Sequence, residues 1–141
     1  MNIQKITPFL WFDKGAEEAA KYYTTVFKNS RIISTSPMLT ILELEGLKLM
    51  LLNGGPIYKQ TEAFSLYINC ETQEEIDYFW DKLSEGGSEG RCGWLKDKYG
   101  VSWQVIPTLL GKLMSDPAKS QKVMEAFLKM TKFDISILEN V

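Results

Sequence analysis

The chain has 141 residues, of which 45% are apolar and 24% charged, and a formal net charge of −2; that is enough length and apolar content for a packed core, and it excludes disordered and fibrous classes. Sixteen basic residues are scattered among eighteen acidic ones, so no basic face able to follow a phosphate backbone is expected and nucleic acid is not an expected partner. The apolar runs, such as Leu49–Leu52, are far shorter than a membrane span, so no membrane partner is expected either.

The N-terminal MNIQKITPFLWF passes from a single Lys into a strand-like segment, Ile6–Phe12. It lacks a sustained apolar stretch with a small-residue cleavage site, so a signal peptide is not expected. A helix follows, with Ala16, Ala19, Ala20, Tyr23 and Phe27 on one face at spacings of three and four, ending before Asn29. A short strand is expected near Arg31–Thr35, and Leu42–Leu52 reads as two strands about a tight turn at Glu45-Gly46.

The pattern then recurs. Phe64–Cys70 is a β-prone segment, and Thr72 with Glu75 forms a capping box before a helix whose face is Ile76, Phe79, Trp80 and Leu83, ending at Gly86-Gly87. A short strand is expected near Glu89–Cys92, and Trp94–Ile106 reads as two strands about Tyr99-Gly100. LWFDKGAEEAAKYYTTVF, starting at Leu10, aligns in character with LYINCETQEEIDYFWDKL, starting at Leu66, and Gly46 superposes on Gly100. Beyond Pro107 the signal is helical: a short stretch with Leu109, Leu110, Leu113 and Met114; a helix opened by Asp116-Pro117 and running to about Lys132; and a last turn over Ile135–Leu138. Such a tail must pack on the sheet's helices or on a second subunit. The expected fold is therefore α+β: two tandem βαβββ modules forming a curved mixed sheet, with C-terminal helices. A single domain over 1–141 is expected, with module one at about 4–56, module two at about 62–107 and the tail at about 108–141. Cys70 and Cys92 lack CxxC spacing and are read as reduced thiols of a cytoplasmic protein.

Two βαβββ units resemble the vicinal-oxygen-chelate proteins, which include glyoxalase I, extradiol dioxygenases and bleomycin-resistance proteins. ITPFLWFDKGAEEAAKYYTTVF, LNGGP at 52–56, CGWLKDKYGVSWQVIP at 92–107 and the SDPAK tail narrow the resemblance to the PhnB-like branch, often called 3-demethylubiquinone-9 3-methyltransferase. The Arg31–Thr40 region departs from that branch in being shortened. In metal-using relatives each module supplies one ligand from its first strand and one from its last. Those positions correspond here to Thr7 or Phe9, Met50, Phe64 or Ser65, and Gln104, and the chain contains no His. Thr, Met and Gln form a weak, neutral donor set, so no metal is expected. Neither Gly54-Gly55 nor Gly86-Gly87 opens a helix after a parallel strand, so the nucleotide-binding turn of a conventional methyltransferase is missing and no cofactor is expected.

Strand alternation sorts the remaining residues. Val101, Trp103 and Val105 share one face of the last strand, and Ser102, Gln104 and Ile106 the other. The mixed face is expected to line a concave pocket with aromatic walls (Phe9, Trp11, Tyr67, Trp94), Met50, and polar points at Thr7, Ser65, Ser102 and Gln104. Catalytic machinery is sparse. There is no imidazole base, Glu43, Glu45, Lys96 and Asp97 read as solvated residues beside turns, and Cys70 sits where its pKa would rise. The leading expectation is a metal-free, homodimeric protein that binds a small apolar or aromatic ligand. The rivals are a metal-independent enzyme acting on a similar molecule and a module whose pocket its own side chains fill.

Overall fold

A computed structural model describes residues 4–141; residues 1–3, which open the segment read as leading into the first strand, lie outside the described residues. The chain divides into two compact units, Met1–Gln60 and Thr61–Val141. In the first, β1 (Phe9–Phe12), α1 (Ala16–Val26), β2 (Ser30–Thr35), β3 (Leu39–Leu44) and β4 (Leu47–Asn53) form a four-stranded sheet ordered β1-β4-β3-β2. In the second, β5 (Ser65–Cys70), α2 (Gln73–Ser84), β6 (Ser88–Glu89), β7 (Trp94–Lys96) and β8 (Ser102–Pro107) repeat that order as β5-β8-β7-β6. The first strand is parallel to the last strand in both, and the other pairs are antiparallel. The fold is thus α+β with tandem βαβββ modules.

Module one packs α1 on β2, β3 and β4. Ala16, Ala19 and Ala20 are fully buried, and their small side chains let the helix approach Leu42, Leu49 and Leu51 closely. The helix start is held from outside, because the Asn53 side chain accepts from Ala16 N–H at 2.9 Å. β1 begins at Phe9 rather than Ile6 for a related reason. The Gln4 amide takes the ladder positions beside Lys48, donating to its carbonyl at 2.9 Å and accepting from its N–H at 3.0 Å, and Ile6 is left 85% exposed. The β3–β4 turn is the two-residue hairpin expected, with Glu45 at φ 49° and Gly46 at φ 87°, the primed geometry that matches strand twist.

Module two packs α2 on β5, β7 and β8. Thr72 caps the helix, accepting from Glu75 N–H at 3.2 Å, while Glu75 accepts from Glu71 N–H at 2.9 Å. Ile76, Trp80, Leu83, Leu95, Trp103 and Val105 are buried. The short strand is Ser88–Glu89, not Glu89–Cys92, because Cys92 and Gly93 spend their N–H groups on the tail instead.

The tail packs on its own module. Its helices are α3 (Leu109–Met114), α4 (Ser120–Phe127) and α5 (Ile135–Glu139). Asp116 accepts from Ala118 N–H at 3.0 Å and closes a turn before α4, so the helix begins three residues later than Pro117 suggested and ends at Phe127 rather than near Lys132. Cys92 and Gly93 donate to the Met130 and Thr131 carbonyls at 2.9 and 2.8 Å. Gln73 donates to the Phe133 carbonyl and accepts from Ile135 N–H, both at 2.9 Å. Val123, Phe133 and Leu138 are buried. Among the described residues no helix is long and apolar enough to cross a membrane.

Candidate functional site

Each sheet has one face under its helix and one without a helix of its own module, and alternation assigns the predicted site residues to the second. In module one, Phe9 pairs with Met50, which pairs with Ile41, and Trp11 pairs with Leu52. Phe9 is 54% exposed, whereas Met50 and Trp11 are half-buried. Thr7 precedes β1, half-buried, with its hydroxyl accepting from the Gln4 amide at 3.4 Å. Trp11 is heavily engaged: its indole N–H donates to the Gly55 carbonyl at 2.9 Å and its ring meets Tyr58 edge-on at 5.0 Å. A Cβ on Gly54 would lie 2.3 Å from the Trp11 ring, so only glycine allows that approach. The LNGGP segment therefore caps α1 with Asn53 and seats Trp11 with Gly54 and Gly55.

In module two the cross-strand rows are Tyr67–Gln104–Trp94 and Ser65–Ser102–Lys96. Tyr67 is 53% exposed, and Gln104, Trp94 and Ser65 are half-buried. Gln104 Nε2 donates to Ser65 Oγ at 3.0 Å, which fixes the amide orientation and turns its oxygen into the open group. Partial burial raises the pKa of the Tyr67 phenol. Ser102 is 2% exposed, and its hydroxyl has no hydrogen-bond partner among the described residues. It lines a cavity of about 190 Å³ with Trp94, Lys96, Glu62, Gly90 and Glu89. The Lys96 ammonium is ion-paired with Glu62, and that hydrogen bond holds the Glu62 carboxyl below its ordinary range.

Asp97 corrects the sequence reading. It is 3% exposed rather than solvated. One carboxylate oxygen accepts from Tyr99 N–H at 2.9 Å and Val101 N–H at 3.0 Å, and the other from the Trp103 indole at 2.8 Å. The β7–β8 connection is accordingly a five-residue loop, 97–101, rather than a tight turn at Tyr99-Gly100. The signal was available: a carboxylate six residues before a tryptophan, inside a hairpin, can bond both the turn and the indole. Glu43 is also engaged, 3.7 Å from Arg31. Cys70 is buried, and burial, with Glu75 adding to it, pushes its thiol up to about 12, which is no state for a nucleophile. Both cysteines are free.

Among the described residues no group of three or more His, Cys, Asp or Glu could hold a metal ion. The positions that the resemblance assigns to ligands hold Thr7 or Phe9 and Met50 in the first unit and Phe64 or Ser65 and Gln104 in the second, where Ser65 and Gln104 are bonded to each other. This donor set does not fit a divalent ion.

A family model described as 3-demethylubiquinone-9 3-methyltransferase matches residues 4–106. Among solved structures the chain is similar to a Bacillus cereus PhnB protein, with 36% identity over 74% of this chain and 100% of that one, at a TM-score of 0.70. It shares its fold with PA1353 from Pseudomonas aeruginosa (22% identity, 74% and 98% coverage, TM-score 0.62). The same is true of the fosfomycin resistance protein FosX from Listeria monocytogenes, solved with Mn(II) and sulfate (14% identity, 81% and 98% coverage, TM-score 0.56). A search of curated protein sequences finds no match. The repeated βαβββ topology, the engaged LNGGP and Asp97 segments and these likenesses agree: the chain belongs to the PhnB-like family that bears the name 3-demethylubiquinone-9 3-methyltransferase, within the vicinal-oxygen-chelate fold.

Proposed function

We propose that this chain is a metal-free binding protein for a small aromatic or apolar molecule, which it takes on the aromatic face of its sheets and without a cofactor. One observation carries the reading: Tyr67, Gln104 and Trp94 stand in a single cross-strand row with Tyr67 53% exposed. A large aromatic left open beside an oriented amide is the composition of a ligand wall rather than of a filled core. Ser65 and Ser102 belong to this same sheet face, Thr7, Phe9, Trp11 and Met50 give the first module's own sheet a matching face, and the protein acts in the cytoplasm as a homodimer. Metal chemistry is disfavoured by the neutral donor set, and methyl transfer from a nucleotide cofactor by the missing glycine-rich turn.

The test is a thermal-shift and tryptophan-fluorescence screen of small aromatic compounds on chelator-treated protein, with sedimentation to give the oligomeric state. A ligand at ten times its Kd stabilises by about 1.4 kcal/mol, which raises Tm by roughly 3–6 °C. Binding that appears only after Mn²⁺ or Zn²⁺ is added would overturn the metal-free reading. Turnover of a bound compound would move the metal-independent enzyme to first place.

A further inference from the structure

We infer that Asn53-Gly54 is a covalent modification site: a deamidation-prone pair that the fold holds inert, and whose reaction unlatches α1 and Trp11 once the end of β4 opens. It is the chain's single Asn-Gly pair. The Gly54 backbone nitrogen, after losing its proton to solvent base, attacks the Asn53 side-chain carbonyl carbon. A nitrogen–carbon bond forms, the bond to Nδ2 breaks, and ammonia leaves a five-membered succinimide ring. Water then opens the ring at either carbonyl, giving aspartate or isoaspartate, the latter with the main chain rerouted through the side chain. Glycine favours the attack because no Cβ hinders its nitrogen and its backbone reaches the required geometry freely. Water is the one co-reactant.

Two separate structural demands put this pair together. Position 53 accepts from Ala16 N–H at 2.9 Å, because Gly15 before the helix has no side chain to cap with, and it donates to the Pro37 carbonyl at 3.0 Å. A carboxamide does both, and the two partners fix which end is oxygen and which is nitrogen. Position 54 must lack a Cβ, which would lie 2.3 Å from the Trp11 ring. The fold that calls for Asn followed by Gly also quenches their reaction. Gly54 N–H donates to the Phe12 carbonyl and Asn53 N–H to the Met38 carbonyl, both at 2.8 Å. The attacking nitrogen thus keeps its proton in a hydrogen bond, while the two side-chain bonds hold the carboxamide carbon away from it. Reaction therefore requires the end of β4 to part from β1. The products cannot close as before. Either acid lacks the Nδ2 donor to Pro37. Isoaspartate also adds a carbon to the main chain just before Gly54 and Gly55, and the Gly55 carbonyl is what holds the Trp11 indole at 2.9 Å.

The experiment incubates the full chain in mildly alkaline buffer, folded and in denaturing urea. Mass spectrometry follows the tryptic peptide Leu49–Lys59, in which Asn53 is the only amide side chain, against an unincubated baseline. Unfolded chain is expected to convert to aspartate and isoaspartate, and folded chain at least about tenfold more slowly, because only its open fraction reacts. Converted chain, separated by its added negative charge and refolded, is expected to show a displaced Trp11 indole resonance and a lower Tm than unconverted chain taken through the same steps. Failure of the converted chain alone to refold would equally support the unlatching. Equal rates in folded and unfolded chain would overturn the protection, and no conversion in urea would overturn the site itself. If converted chain keeps both the Tm and the Trp11 resonance, the unlatching falls.

Discussion

The two modules share a topology and differ in how they finish it. Module one satisfies its polar groups internally. Gln4 pairs with the Lys48 backbone, Glu43 sits 3.7 Å from Arg31, Asn53 caps α1, and the Trp11 indole is held by Gly55. Module two leaves groups open: the Ser102 hydroxyl has no partner among the described residues, and Tyr67, which aligns with Trp11 in the repeat, is half exposed. Their hairpins differ too. One relies on backbone conformation at Glu45-Gly46, the other on a buried carboxylate at Asp97. The two copies of a duplicated fold can thus spend their polar groups differently while keeping one topology.

The sharpest way to break this comparison is Asp97→Ala, which strands three donors, two of them backbone. It should cost about 3 kcal/mol in urea unfolding; a loss under 1 kcal/mol would mean that water replaces the carboxylate and the loop does not depend on it. Gly54→Ala comes next, because the added Cβ would sit 2.3 Å from Trp11. A loss of about 2 kcal/mol is expected, together with a shifted Trp11 indole resonance, and an unmoved resonance would refute the account of LNGGP as Trp11's seat. Gly46→Ala forces a side chain into positive φ and should cost about 1 kcal/mol, so the hairpin of module one should prove less sensitive than that of module two.

The smallest effect concerns the tail. Lys132 lies 2.8 Å from Asp77, and hydrogen bonds from Lys132 and then Gln73 hold the Asp77 carboxyl below its ordinary range. Because the folded pKa is depressed, the contribution is present above the unfolded value and is lost as pH falls through the folded one. The protection of the Met130–Phe133 amides, measured against the intrinsic exchange rate at each pH, should therefore fall below about pH 4. Lys132→Met should flatten that dependence, and high salt should weaken it, since both partners are well exposed. A pH response unchanged in Lys132→Met would assign the effect elsewhere.

Much of the architecture was legible because it rests on local periodicity. The Ala16–Ala19–Ala20–Tyr23 stripe, the Thr72–Glu75 cap and the alternation of β5 and β8 each encode their own element and its buried side. The errors fell where a distant group took over a local preference. β1 starts later than its β-prone residues suggest because a glutamine side chain, not backbone, pairs beside Lys48. β6 ends before Gly90 because Cys92 and Gly93 bond the tail, and α4 starts after Pro117 because Asp116 closes a turn first. The pocket residues were legible as a face but not as individuals. Trp11 and Trp94 look alike in sequence, yet one is clamped by Gly55 and Tyr58 and the other lines a cavity.

The sequence by itself determined the repeat, the order of strands and helices in both modules and the face of each strand that turns from its helix, since these follow from side-chain spacing along a single chain. Tertiary structure alone decided which polar groups are used and which are open. Asp97 is spent on three donors, Gln104 on Ser65 and Lys96 on Glu62, while the Ser102 hydroxyl has no partner among the described residues. Hydrogen-bond satisfaction depends on which strands become neighbours and in what register, and no periodicity within one segment records that.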